Sequence, residues 1–296
     1  MASGWNKSAE AYRPFEVYTA QFTVAAAEGL PDFLGSKDGI LVMDVAAGTG
    51  ASTFALCQRL AKHCRANKTT AQVVATDFSE AMLKSLMEKL NASDPEEEVK
   101  STQVAIKEGL LSVSAKVADA QDLSAFADES LDAITCTFGI MFPPSPSKVV
   151  REFWRLLKPG GVVITTTWHY NNMVSDTLSD LAYTFMGKDR FEDPPLLAST
   201  MKFGTEMFMR RLFRGDLDGV KLFRDADLEA RFVSGSAKCL PRHIAAMLNK
   251  NPVSTDYGTW DEAAAEKHLQ ETLADADGQI KLHGTALILI ARKPAI

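Results

Sequence analysis

The run Ile40-Leu41-Val42-Met43-Asp44-Val45 is almost wholly apolar and leads straight into Ala46-Ala47-Gly48-Thr49-Gly50. An apolar hexad without alternation is how a strand covered on both faces reads, which calls for a parallel sheet flanked by helices. The two glycines let the chain turn tightly into a helix from about Ala51 to His63, with Phe54, Cys57 and Ala61 on one face. The unit then repeats. Gln72 to Thr76 reads as a second strand closed by Asp77, and Ser79 as the N-cap of a helix buried along Met82, Leu83, Leu86, Met87 and Leu90. Asp94 to Glu98 reads as a solvated loop, and Lys116 to Ala118 and Leu131 to Cys136 as strands three and four. Ser147, or Ser145 with Pro146 at the first helical position, opens a helix whose inner face is Val149, Val150, Phe153, Trp154 and Leu157. Lys158-Pro159-Gly160-Gly161 stops that helix, and Val162 to Trp168 is the fifth strand. Strand and helix alternating in this way predict an α/β, doubly wound sheet with right-handed crossovers.

The alternation breaks after Trp168. Residues 170–222 carry Met, Phe and the pair Pro194-Pro195 and look helical; Asp225 to Phe232 reads as a helix, Ser236 to Leu240 as strand six, and Leu282 to Arg292 as a long last strand. Tyr12, Phe15, Tyr18 and Phe22 recur at helical spacing near the start. The expected division is a helical arm over residues 1–39, a core over 40–169, a helical cap over 170–222, and a closing part of the core over 223–296 with strands six and seven.

Charge narrows the partners. Lys plus Arg number 32 against 38 Asp plus Glu, a formal charge of −6, so nothing favours binding to a phosphate backbone by counterion release. The four cysteines (Cys57, Cys64, Cys136, Cys239) show no CxxC spacing, which fits a reducing compartment, and no ligand spacing points to a metal. No apolar stretch is long enough to span a bilayer, and the first residues lack the apolar region of a signal peptide. These features predict a cytoplasmic protein with a small-molecule partner, no nucleic acid and no membrane span.

In such a sheet, ligands bind outside the carboxyl ends of the strands where strand order reverses. The loop Asp44 to Gly50 lies there, but a dinucleotide fingerprint would want glycine at position 53, which is Thr53, and the Gly-Lys-Ser/Thr of a P-loop is absent. Asp77 can accept hydrogen bonds from both hydroxyls of a ribose. Asp119 can accept from the exocyclic amine of an adenine while the next backbone N–H donates to a ring nitrogen. Thr137 to Phe142 is an unusually apolar loop after strand four. His169, with Tyr12, Tyr18 and Tyr170 behind it, is the candidate general base; it reads equally as a loop histidine packed on Trp168. Met173, Phe185, Met186, Phe191, Met201, Phe203, Met207, Phe208, Met209 and Phe213 either pack the cap or line an apolar acceptor pocket. Arg210, Arg211 and Arg214 either meet an acceptor carboxylate or form a solvated helix face.

The strings VMDVAAGTG, ATDFSEAML, VADAQDL, LDAITCTFGIMF and RLLKPGGVVITTTW, in this order, resemble the class I S-adenosylmethionine-dependent methyltransferases over residues 40–168. The likeness is greatest to the branch that holds the ubiquinone and menaquinone biosynthesis C-methyltransferases. It weakens through Phe223 to Phe232, where Arg231 stands in place of the family's glycine, and returns at Gly284 to Ile290. The resemblance implies a Rossmann-like seven-stranded sheet of order 3-2-1-4-5-7-6 with strand seven antiparallel. It implies S-adenosyl-L-methionine as cofactor and S-adenosyl-L-homocysteine as product. Carried over position by position, Asp44, Ala46, Gly48 and Gly50 would surround the methionine part, and Asp77 would hold the ribose with Phe78 against adenine. Asp119 and Ala120 would meet the adenine edge, and Phe138 would flank the methionine part. The implied activity is methyl transfer to a small or medium organic acceptor by in-line displacement. Two alternatives stay open: a non-catalytic cofactor-binding scaffold, and an arsenic methyltransferase, which would gather several cysteines at the acceptor face. Thr53 speaks against a third, a NAD-linked dehydrogenase.

Overall fold

The computed structural model describes residues 5, 11–12, 15–35, 37–186, 202–250 and 260–295. Pro194-Pro195, Phe191 and Met201 lie outside the described residues, as do the side chains of Tyr170 and Met186.

The strands are β1 (Ile40–Val45), β2 (Ala71–Asp77), β3 (Leu111–Val117), β4 (Leu131–Thr137), β5 (Leu157–Asn172), β6 (Leu228–Cys239) and β7 (Ile280–Arg292). They form one sheet of order β3-β2-β1-β4-β5-β7-β6, in which β7 runs antiparallel to both neighbours, as the resemblance implied. The remaining pairings are parallel. Alternate residues of β1 face opposite sides of the sheet. Ile40 and Val42 join an apolar cluster with Leu56 and Leu60, while Met43 and Val45 join another with Phe153 and Leu287. That two-sided burial is why the hexad carries no polar alternation.

The helices are α1 (Glu16–Glu28), the short α2 (Pro31–Leu34), α3 (Ala51–Asn67), α4 (Glu80–Leu90), α5 (Glu97–Lys107), α6 (Pro146–Leu156), α7 (Met173–Met186), α8 (Glu206–Arg214), α9 (Pro241–Lys250) and α10 (Glu262–Thr272). Ser79 caps α4, its hydroxyl accepting from the Met82 N–H at 3.3 Å, and Pro146 opens α6. At the amino ends of the strands, the buried Asp132 carboxylate accepts from the Leu41 N–H and from Lys158 Nζ, at 2.9 and 2.8 Å, and ties β1, β4 and β5 together.

Four sequence expectations need correction. β5 begins at Leu157, so Leu157 and Lys158 to Gly161 belong to the strand and not to the inner face and stop of α6. Asp225 to Phe232 is not a helix: only a single 3-10 turn, Asp225–Asp227, precedes β6, which starts at Leu228 and pairs with β7 along its whole length. Pairing with β7 overrides the local helical reading. The acidic run at Asp94 to Glu98 is not all loop, because Glu96 is the N-cap and Glu97 the first residue of α5, where negative charge suits the positive end of the helix. β3 starts at Leu111, five residues before its expected start.

Gly50 is the hinge between β1 and α3. Its φ of 102° is open to glycine, and a Cβ there would stand 2.8 Å from Leu86 Cγ and from Phe54 Cε2. Gly50→Ala is therefore expected to lower unfolding free energy by about 2–3 kcal/mol, read as a lower denaturant midpoint at unchanged slope. An unmoved midpoint would show that the loop relaxes around the methyl group.

Candidate active site

Sheet order reverses between β1 and β4, and the loops after the strands open there onto a cavity of about 260 Å³. Its walls come from Ala46 to Thr49 after β1, Asp77 and Phe78 after β2, Ala118 to Gln121 after β3, Thr137 to Phe142 after β4, and Trp168 in β5. Helices cover the other side with Phe15 at the N-cap of α1, Thr19 and Thr23 of α1, Val174 and Leu178 of α7, and Met247 and Leu248 of α9.

Asp77 joins the first two loops. Its Oδ2 accepts from the Gly48 N–H at 3.0 Å and its Oδ1 from the Ser79 N–H at 2.8 Å. Burial pushes the Asp77 carboxyl above its ordinary range, while the Ser79 and Gly48 N–H groups pull it back down. Each oxygen keeps a lone pair for a ligand. At Gly48 an added Cβ would meet nothing within 4 Å, so the loop leaves open space beside its backbone. Across the cavity Asp119 is exposed, with Oδ1 accepting from the Gln121 N–H at 2.9 Å.

The rest of the wall is apolar and aromatic. Phe138, at a φ of 58°, lies face to face with Trp168 at 3.8 Å between ring centres. Trp5 meets Phe142 at 5.2 Å and Tyr12 at 6.3 Å, and Tyr12 meets Phe15 at 5.7 Å, all edge to face. Among the described lining residues the only charged side chains are Asp77 and Asp119.

Comparison with known proteins agrees with this geometry. Residues 43–165 match the family model described as a methyltransferase domain. A demethylmenaquinone methyltransferase of Clavibacter sepedonicus is 36% identical over 126 residues, 43% of this chain and 40% of its own length. A ubiquinone/menaquinone biosynthesis C-methyltransferase of Idiomarina loihiensis is 31% identical over 150 residues, 51% of this chain and 50% of its own length. The chain thus spans about half the length of these relatives or less. Among solved structures, the YcgJ protein of Bacillus subtilis superposes with a TM-score of 0.49 at 15% identity, covering 92% of this chain and 99% of its own.

The sequence resemblance implies S-adenosylmethionine as cofactor, and the donor set of the cavity fits it. Two carboxylates, no lining cation among the described residues and a glycine-turned loop suit a molecule that carries a ribose diol, an adenine amine and a positive sulfur.

The expected site residues divide. Ala46, Gly48, Asp77, Phe78, Asp119, Ala120 and Phe138 all line the cavity. Asp44 does not. It is fully buried beneath the loop, where its Oδ2 accepts from the Ser52 and Thr53 hydroxyls at 2.6 and 2.7 Å and its Oδ1 from Thr135 at 2.8 Å. Burial raises its carboxyl from the ordinary range against the pull of those three hydroxyls. Asp44 therefore positions the loop from behind, and the Thr53 that replaces a fingerprint glycine is one of its partners. Gly50 is likewise absent from the wall and serves the packing of α3 on α4.

The three candidate bases fare differently from expectation. His169 is off the cavity and packs edge to face on Phe232 of β6 at 5.3 Å, with burial lowering its pKa. Tyr18 is fully buried behind the wall, stacked on Trp168 at 5.5 Å, and burial raises its phenol. Tyr12 does line the cavity, but burial, aided by the nearby Glu16, holds its phenol protonated well above neutrality. Within the cap, Phe203, Met209 and Phe213 are core residues and Met207 is 72% exposed; none of the described Met and Phe residues of the expected set lines the cavity. Arg210 pairs with Glu206 and Asp225, and Arg214 with Asp216 and Asp225, all away from the cavity. The thiols do not gather: all four are buried, and only Cys136 reaches the cavity. Among the described residues no His, Cys, Asp and Glu group could hold a metal, and no helix is long and apolar enough to cross a membrane.

One contact had no local signature in the sequence. Glu16, the first residue of α1, pairs with Lys89 of α4 at 2.6 Å and accepts from the Thr49 hydroxyl, while Lys89 Nζ also reaches the Thr49 carbonyl at 3.1 Å. These side chains are 17% and 13% exposed, so the pair is screened less than a surface bridge. It fastens the arm to the glycine loop. Lys89→Met, which strands the Glu16 carboxylate, is expected to cost about 1–2 kcal/mol and to speed limited proteolysis at the arm. Cleavage at the parent rate would mean that aromatic packing alone holds α1.

Proposed function

We propose that this chain transfers a methyl group from S-adenosylmethionine to a small or medium organic acceptor by in-line displacement. The observation that carries this reading is the Asp77 carboxylate, held by the Gly48 and Ser79 N–H groups on the wall of a cavity whose other half is apolar. In this reading the arm of residues 1–39 and the cap of residues 170–222 cover the acceptor side of the core at 40–169, closed by 223–296.

When bound, S-adenosylmethionine supplies an electrophilic methyl group on a positively charged sulfur. Asp77 accepts from the two ribose hydroxyls with the lone pairs left free by its backbone bonds. Phe78 covers one adenine face, Asp119 accepts from the exocyclic amine, and the Ala120 N–H donates to a ring nitrogen. Ala46, Gly48 and Phe138 border the methionine part. The helices over the strand ends exclude water and hold the acceptor's attacking atom in line, and such positioning contributes up to ~7–11 kcal/mol of a barrier. The name of the Idiomarina loihiensis relative specifies carbon as the attacked atom in that protein. The family model's match begins at residue 43 and ends at 165, so the arm, cap and α9 on the acceptor side lie outside it.

Asp77→Ala is expected to weaken S-adenosylhomocysteine binding at least ~10-fold in calorimetry, with the fold intact by circular dichroism. Undiminished affinity would remove the ribose assignment. Only the ionised carboxylate accepts both hydroxyls, and its pKa is raised, so affinity is full at alkaline pH and falls as pH drops through a value above that of an ordinary aspartate. Asp77→Asn should flatten that profile; the same fall in the variant would place the titrating group elsewhere.

A further inference from the structure

The acceptor half of the cavity has a feature that neither the family nor its relatives specify: among the described lining residues it offers rings and no base. Trp5, Tyr12, Phe15, Phe138, Phe142 and Trp168 line it, four of them joined edge to face in one group and two stacked on each other. No Lys, Arg, His or Glu is among the described lining residues, so an acceptor carboxylate or phosphate would find no counter-charge among them. The carboxylates among the described lining residues are the two aspartates, and both accept from backbone N–H groups at the cofactor end. Tyr12 keeps its proton, and His169 faces β6.

A transfer in such surroundings is easiest when no proton has to leave. We propose that the acceptor is an uncharged, apolar molecule presenting an aromatic ring nitrogen of low basicity, whose lone pair carries no proton at neutral pH. The inference rests on the methyltransferase reading above. The N–CH3 bond forms as the S–CH3 bond breaks, the electron pair of that bond returns to sulfur, and the positive charge passes from sulfonium to nitrogen, with no proton released. Charge is conserved within the cavity, and the ring faces that favour a cationic sulfur favour the quaternary product equally, without base or counter-ion.

The test uses the full chain saturated with S-adenosylhomocysteine and three ligands of one shape: N-methylquinolinium, 1-methylnaphthalene and 1-naphthoate. Calorimetry should show the cation binding at least about fivefold tighter than the neutral ring, and the anion weakest. Trp5→Leu and Phe142→Leu should each erode the preference for the cation while S-adenosylhomocysteine affinity stays within about twofold. Quinoline, offered with S-adenosylmethionine, should gain a methyl group on nitrogen, and 2-naphthol should gain none. Equal or weaker binding of the cation, a preference that survives both substitutions, or methylation of naphthol at carbon or oxygen would overturn the inference while leaving the methyltransferase reading standing. Failure to bind S-adenosylhomocysteine at all would overturn both.

Discussion

A single carboxylate holds the rim of this sheet together. Asp77 ends β2 and accepts from Gly48 in the loop after β1 and from Ser79 at the cap of α4. Three segments distant in sequence are thus fixed around one anion, and the raised pKa of that anion records how little water reaches it. The neighbouring Asp44 works from below, gripping Ser52, Thr53 and Thr135 so that the start of α3 and the middle of β4 are locked to β1. One acid shapes the site from behind and the other faces into it. Their proximity also couples them, since the charge of Asp44 adds to the upward push on Asp77.

The fold was legible because its signals are local. An apolar hexad buried on both faces, glycines at the turn, Ser79 as a cap and Pro146 at a helix start each dictate backbone geometry within a few residues, and the sheet order followed from the resemblance. What escaped the sequence depends on partners far along the chain. β6 is an edge strand with alternating burial, and only its pairing with β7 distinguishes Leu228 to Phe232 from a helix. The same holds at the site. The rim residues after β1, β2, β3 and β4 were readable because each directly follows a strand. His169, expected just after strand five, lies within β5, and its ring packs on Phe232 instead.

The acceptor side was the least readable part. Met247 and Leu248 sit on α9, well over a hundred residues from the glycine loop they face, and the Glu16–Lys89–Thr49 contact joins an arm to a core helix across an equal lack of local pattern. The Met- and Phe-rich cap looked like a pocket lining from composition alone. Of its described members, Phe203, Met209 and Phe213 are instead buried in the core, and the cap reaches the cavity through Val174 and Leu178. In the proposed reading, the strand-end residues within 43–165 hold the cofactor and segments outside that range help to cover the acceptor side.

The most direct test is a crystal structure of the full chain with S-adenosylhomocysteine. The account predicts both ribose hydroxyls within hydrogen-bond distance of Asp77, the adenine amine at Asp119, and the sulfur facing the aromatic wall formed by Phe138 and Trp168. A nucleoside bound elsewhere, or one whose ribose turns away from Asp77, would contradict it.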